Sequence, residues 1–503
     1  MRRWIGSRRC WTVLGLVALV LVMGVGWVEL AEARPGGGES YGSSSSSGGG
    51  GGGGELIGLL FELWLHLIIR YPQVGVPLTI VFLVIAWRVQ SKKAQGGETW
   101  DSAPAPPPRV PDPPKSRSLE PVREIDPEFS PVLFEDFAYA LYAKAHEARA
   151  RPKDLEALSP YLSPGVREHL AGRWPVGREI ATVVIGAMRC SLVYVPQVTQ
   201  QDVRVTLEFE ANLSPGGEGG DQTHYVRERW MLRRSRDARS RPPEAIRDFG
   251  CPSCGAPYLA TPDNRCSYCD EVVTDGRFEW LVDNILLLDI ESRPPALRGT
   301  VPERGTQLPT IYQSHIDDAV DALFADDPAL TVEDFGARFG LIFHDLNGAW
   351  SARDLGRARP FLSDALFDYL QFWIEAYKAQ GLRNVLEGFR IQRWEFVKVS
   401  RDKYYDAITL RFWGIGRDST VEISSGNVVG GNPRQDRPYS EYWTFIRGRG
   451  VRGKASAERS CPNCGVGLDI NMAGVCTHCQ SKVTRGDFDW VLSKIEQDEA
   501  YGG

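Results

Sequence analysis

The sequence has no surplus of positive charge: 58 Lys and Arg stand against 64 Asp and Glu, a formal net charge of −6 over 503 residues. A general nucleic-acid binder neutralises phosphates with clustered Lys and Arg, so nucleic acid is disfavoured as a partner. Catalytic fingerprints are missing as well. There is no Walker loop, no G-x-S-x-G elbow and no H-E-x-x-H helix, the signatures of nucleotide, acyl-transfer and metalloprotease chemistry. Apolar residues are not scarce, at 43%, which excludes a wholly disordered chain. What is abundant is unevenly placed: the 52 Gly and ten Cys fall in a few segments. Charge is split too, since residues 1–93 carry nine Lys and Arg against five Asp and Glu, or +4, leaving −10 for the other 410.

The first 93 residues read as a membrane end. Arg2, Arg3, Arg8 and Arg9 precede an apolar run from Trp11 to Val28 and the small-x-small site Ala31-Glu32-Ala33. This is the pattern of a secretory signal peptide over residues 1–33, with an uncleaved signal anchor as the alternative. Residues 34–54, with Gly36–Gly38, Ser43–Ser47 and Gly48–Gly54, cannot bury apolar surface and are expected to act as a spacer. A second apolar block fills residues 55–93 and is broken at Pro72. In its first half Glu62, His66 and Arg70 recur every four residues, which suits a helix lying in the headgroup region better than a buried proton site. The second half, Val74–Trp87, is uncharged and followed by Arg88, Lys92 and Lys93. A short spanning helix with its basic flank in the cytoplasm is expected. Residues 94–125, proline-rich over Ala103–Pro114, would then hold the rest of the chain off the cytoplasmic face.

That remainder contains a repeat. Cys251, Cys254, Cys266 and Cys269 recur 210 residues later as Cys461, Cys464, Cys476 and Cys479, both sets spaced C-x2-C-x11-C-x2-C. The likeness continues from Val273–Trp280 into Val483–Trp490. Upstream, Glu135-Asp136-Phe137 matches Glu333-Asp334-Phe335, and Glu228 and Trp230 match Glu441 and Trp443. Each unit carries helical periodicity first (Phe134, Phe137, Leu141, Ala145; then Phe335, Phe339, Ile342, Phe343, Leu346) and β-rich runs after it, the order of an α+β domain. The expected layout is a first domain at 126–248, a cysteine module at 249–295, a linker at 296–325, a second domain at 326–450 and a second module at 459–498.

The segment Asp126–Ala148 (DPEFSPVLFEDFAYALYAKAHEA), the stretch Pro160–Leu170 and the Glu-x-Trp strand resemble bacterial Tim44-like domain proteins, which are similar to the carboxy-terminal domain of the mitochondrial import subunit Tim44. The ARPGGGES stretch, Ala33–Ser40, followed by a Gly/Ser spacer and a membrane helix, also resembles that family. The resemblance implies two cystatin-like or NTF2-like cones, helices packed on a bent antiparallel sheet, in a non-catalytic role at the bacterial inner membrane. The mitochondrial relative tethers a chaperone and docks on anionic lipid. Its chaperone-recruiting segment is not recognisable here, so an import-motor role is not carried over.

The eight paired cysteines carry the strongest chemistry. Thiolates at C-x2-C bring two sulfurs of one turn to one ion, and four of them satisfy tetrahedral Zn²⁺ with no open position, so two structural zinc sites are expected. Disulfides are the competing reading, disfavoured by a reducing cytoplasm. Residues 249–295 hold three Arg and no Lys against eight Asp and Glu, which argues against phosphate contact by the first module. Arginines gather just before each module: Arg229, Arg233, Arg234 and Arg236, then Arg447, Arg449 and Arg452. A solvated or charge-neutralising loop is the plain reading; contact with anionic lipid or a partner protein is the sharper one. Glu228 and Glu441 repeat, but a pairing with neighbouring arginines is preferred to a general-base role, and no His repeats as a base. The function expected is a membrane-anchored, non-enzymatic scaffold that binds a protein partner, lipid or apolar ligand. A small-molecule isomerase or hydrolase using the cone pocket is the alternative.

Overall fold

The computed structural model describes residues 116–503 apart from 174–178, 199–200, 217–222, 242–248, 260–262, 294–296, 298–304, 454 and 499. The signal-peptide, spacer and membrane expectations for residues 1–93, and residues 94–115 of the linker, lie outside the described residues. Among the described residues no helix is long and apolar enough to cross a membrane.

Half one opens with a short helix, α1 (Glu120–Arg123), and then α2 (Pro131–Ala148), α3 (Pro152–Ala157) and α4 (Pro164–Gly172). Ser130 caps α2 by accepting from Leu133 N, with Pro131 at the first helical position, where its missing N–H costs nothing. Ser163 and Pro164 repeat the device on α4. Four antiparallel strands follow in spatial order: β1 (Ile180–Tyr194), β2 (Asp202–Pro215), β3 (Thr223–Ser235) and β4 (Leu281–Arg293). On β2 every second residue from Val203 to Leu213 is buried, and this face meets Phe134, Phe137, Leu141, Tyr142 and Ala145 of α2 in one core.

Half two repeats the order at larger size. Helices α5 (Ile316–Asp326), α6 (Val332–Ala352) and α7 (Asp364–Ala379) lead into β5 (Leu382–Arg401), β6 (Tyr405–Glu422), β7 (Val428–Gly431), β8 (Arg437–Gly448) and β9 (Val491–Gln497). The sheet runs β5-β6-β8-β9, with β7 paired to β6. Thr331 and Ser363 cap α6 and α7. Phe335, Phe339, Ile342, Phe343 and Leu346 form the buried stripe of α6, as the periodicity predicts.

Three boundaries move. Leu119 and Val122 are buried in the core of half one, so residues 116–125 belong to the fold rather than the linker. Helix α5, with Leu323 buried, likewise places residues 316–325 in half two. The third shift matters most: β4 and β9 fall inside the stretches 249–295 and 459–498, yet they are the last strands of the two sheets. The cysteine modules therefore do not follow their domains. They are inserted between the last two strands of each sheet, because the apolar runs after Trp280 and Trp490 return to pair with β3 and β8.

The described residues fall in one compact unit, and the halves meet in more than one place, α7 of half two lying beside β1 of half one. Leu133 of α2 is buried against Tyr405, Ala407, Ile446 and Val491 of the second sheet. Ser130 Oγ donates to Asp402 at 2.6 Å, Lys403 pairs with Glu128, and Lys494 pairs with Glu135. Helix α2 of half one thus lies against the second sheet.

Candidate metal centres

Each cysteine module is built from two copies of one turn. Cys251 N bonds to Ala256 O and Gly255 N to Cys251 O; Cys266 N bonds to Glu271 O and Asp270 N to Cys266 O. Module two repeats both turns with Cys461, Val466 and Gly465, then Cys476, Ser481 and Gln480. The fifth residue of every turn is left-handed: Gly255 (φ 78°), Asp270 (59°), Gly465 (74°) and Gln480 (58°). Glycine suits this conformation, and Asp tolerates it better than most side chains.

The turns converge as the spacing predicts. All four sulfurs of each set lie within 4.8 Å of one another, and Cys251–Cys269, Cys254–Cys266 and Cys461–Cys479 are each 3.8 Å apart. Sulfurs about 2.3 Å from one tetrahedral ion are themselves about 3.8 Å apart, so the donor sets fit a four-coordinate metal and leave it no open position. Asn463 donates to Cys479 Sγ at 3.4 Å and, with Ser481, holds that thiol down to about 6, toward the thiolate a metal needs.

The modules are tied to the sheets identically. Gly276 O accepts from Ser235 N and Gly486 O from Gly448 N, both at 2.8 Å, each glycine at positive φ. Trp280 and Trp490 then enter the two cores, and Arg234 and Arg447 lie over them at 4.8 and 4.7 Å. Arg234 pairs with Asp126 at 2.8 Å and Arg447 with Asp327 at 3.0 Å, both arginines 1% exposed. These two of the seven arginines singled out for lipid or partner contact are therefore structural clamps with no surface to offer. The others are also engaged: Arg229 with Glu208, Arg233 with Asp202 and Asp283, Arg236 with Pro196 O, Arg449 with Asp402 O, Arg452 with Asp326.

The repeated carboxylates are buried and held, but not by the neighbouring strand arginines. Arg173, just past α4, pairs with Glu228 Oε1; Trp230 Nε1 donates to Oε2 at 2.9 Å, and His146 Nε2 lies 3.1 Å from the same oxygen. Burial first, then Arg173 and Arg149, push His146 well below its ordinary range, so it is neutral and donates to Glu228. Glu441 accepts from Trp443 Nε1 at 2.8 Å and Gln497 Nε2 at 3.2 Å. One repeat was overlooked: His146 and His344 stand at the same 198-residue offset as the Glu-Asp-Phe triplets. His146 is buried and His344 is exposed, so they share no role. His478 is exposed and Cys190 is buried in β1. A recess of about 20 Å³ between α2 and the end of module one, lined by Phe129, Leu133, Phe137, Arg241, Glu279 and Trp280, has room for a water-sized body.

Residues 316–455 match the family model described as a Tim44-like domain. The Tim44-like span runs from α5 to just beyond β8, so it stops before the second cysteine module and β9. Among solved structures, an "Ntf2 like protein involved in plasmid conjugation" aligns at 9% identity and a TM-score of 0.17, covering 72% of this chain and 96% of that one; so loose a superposition carries no weight. No curated protein matches.

Proposed function

We propose that the chain is a membrane-anchored, non-enzymatic adaptor of bacterial type. A single spanning helix within residues 55–93 holds two Tim44-like α+β halves on the cytoplasmic face of the inner membrane, where they bind a protein partner. Each half carries one zinc ribbon, spliced into its sheet, and the two Zn²⁺ ions are structural. Cys251, Cys254, Cys266 and Cys269 hold one; Cys461, Cys464, Cys476 and Cys479 hold the other. Lipid contact, if made, falls to Arg229, Arg233, Arg236, Arg449 and Arg452.

One observation carries the reading: the side chains that repeat between the halves are already committed to the fold. The cysteines close on themselves, and Glu228 and Glu441 are each held by at least two donors. Partner surfaces, rather than reacting groups, are what remain on offer.

Photo-cross-linking of the full chain in its native membranes, with probes on the exposed faces of both halves, tests this. Reproducible cross-links to one protein, with residues 94–503 protease-accessible only from the cytoplasmic side, are expected. Cross-links confined to the chain itself, or protection of residues 94–503 from cytoplasmic protease, overturn it.

A further inference from the structure

The two donor sets are alike, but what surrounds their sulfurs is not. In each set two cysteines are buried and two face outward: Cys254 and Cys464 are exposed, Cys269 and Cys479 half-buried. Cys254 and Cys464 each accept a backbone N–H, from Ala256 and Val466, so that pair does not separate the modules. The other pair does. Asn463 donates to Cys479 Sγ at 3.4 Å and to Ser481 Oγ at 2.7 Å. At the matching positions 210 residues earlier stand Ser253 and Glu271, and Glu271 turns to Arg277 at 2.8 Å. Among the described residues no side-chain N–H or O–H donates to Cys269 Sγ. A hydrogen bond draws charge from a thiolate and makes it a poorer nucleophile, so Cys269 is the more reactive of the two.

The modules are also held differently. Module two is fastened to its helices: Arg359 Nε donates to Met472 O at 2.8 Å, Asp364 accepts from Lys482 and Thr484, and Arg459 pairs with Asp345. Ion pairs of module one stay within it or reach Arg241. Its shape therefore depends more on its metal. We propose that module one is an oxidation-sensitive metal site: a hydroperoxide joins Cys269 to Cys251 as a disulfide, the ion leaves, and the pairing of β4 with β3 loosens, while module two keeps its ion. This rests on the structural-metal reading of the two sets.

The step balances without a further reactant. The Cys269 thiolate attacks the peroxide, the O–O bond breaks, and the leaving oxygen takes a proton from solvent. Cys251, whose sulfur lies 3.8 Å away, attacks the resulting sulfenic acid; the S–O bond breaks and hydroxide leaves, taking a second proton. The two sulfurs have lost two electrons and the peroxide has gained them. Cys254 and Cys266 alone cannot hold a four-coordinate ion.

The test uses the full chain in detergent, loaded with two Zn²⁺ ions, and hydrogen peroxide as the probe. Released ion is followed with a chromogenic chelator, and disulfides and amide exchange by mass spectrometry of the same samples. Release in two phases is expected, the first ion leaving at least about threefold faster, with a Cys251–Cys269 disulfide and faster exchange in β4 accompanying it. Dithiothreitol with added Zn²⁺ should restore the starting state. Asn463→Ser should bring the second phase up to the first, its metal content before oxidation showing that it still folds around both ions. Loss of both ions at one rate, earlier loss from module two, a first phase without the Cys251–Cys269 disulfide, or an Asn463→Ser chain with the wild-type second phase would each overturn the proposal. A chain that holds two ions and loses them together fails this proposal alone; one that never holds two fails the metal assignment as well.

Discussion

Glu228 and Glu441 stand at one register on the third strands of their sheets, each opposite a phenylalanine, Phe209 or Phe412, and each two residues before a tryptophan that donates to it. Their surroundings differ. Around Glu228 the interior holds Arg173, His146, Arg149 and Tyr142, all buried. Around Trp443 it holds Phe412, Phe339 and Phe343, with ring centres 5.2, 5.7 and 6.0 Å away. The cause lies in a helix length. α7 runs sixteen residues and brings Trp373, Ile374 and Tyr377 inward, whereas α4 ends after nine at Gly172 and the next side chain, Arg173, turns in. A shorter lid left space that half one closes with charge. A buried charge set is held mainly by its own completeness, so the interior around Glu228 should be more fragile to single changes than the aromatic one around Trp443.

The cysteine modules are where the halves agree, and removing them should have the largest effect. Cys251→Ser and Cys461→Ser should each lower bound metal from two ions per chain to one, read by elemental analysis of the purified protein. Structural zinc supplies an apparent ~10–16 kcal/mol in isolated peptides. Because each ribbon joins the last two strands of its sheet, its loss should also raise hydrogen exchange in β4 or β9 respectively. Equal metal content in wild type and variants sinks the two-site assignment.

Glu228→Gln against Glu441→Gln sharpens the contrast directly. The first leaves Arg173 buried without its carboxylate, a loss of about 3–5 kcal/mol. The second changes a carboxylate that accepts from the neutral donors Trp443 and Gln497, and should cost less, about 1 kcal/mol. Urea midpoints of the two variants measure this; equal losses would mean the two interiors are energetically alike.

Much of this was legible in the residues. The metal sets could be read because C-x2-C is a local spacing that the turn itself enforces, and the helix stripes and strands because burial imposes periods on sequence. The insertion of the ribbons was not legible. Leu281–Arg293 looks like the tail of a cysteine module when read along the chain, and only pairing with β3 makes it a fourth strand. Arg234 and Arg447 misled for a related reason: an arginine in a basic run carries no local mark of the aspartate, Asp126 or Asp327, that buries it from more than a hundred residues away. Arg173 escaped notice because its role depends on where α4 stops.

Acid should also separate the halves. His146 is held neutral by burial and by Arg173 and Arg149, with His169 a smaller like-charge neighbour and Glu228 and Tyr142 facing it from β3 and α2. Its pKa is depressed on folding, so as pH falls below the ordinary 6.5 the unfolded chain takes up a proton that the native one refuses. Stability should therefore fall by up to about 1.4 kcal/mol per pH unit, from 6.5 downward until the folded pKa is reached. His146→Gln should flatten that slope, while His344→Gln, on the exposed face of α6, should leave it unchanged. Urea titrations of the three proteins at a series of pH values decide it, and a His344→Gln slope as flat as that of His146→Gln would remove the assignment.

The smallest effect is expected at the seam. Glu135 and Lys494 are 30% and 27% exposed, partly screened by water. Burial alone would lower the Lys494 ammonium, but Glu135, then Tyr139 and Glu496, raise it. Lys494→Met removes the charge and keeps the stem that packs between the halves, and should cost about 1 kcal/mol or less. Leu133→Ala, which empties part of the apolar contact beside it, should cost more, about 2–4 kcal/mol. If the two changes weighed the same, or Lys494→Met the more, the halves would be joined by their ion pair. With the leucine dominant, half one is held on sheet two chiefly by burying α2, and the ion pair fixes only the register of that contact.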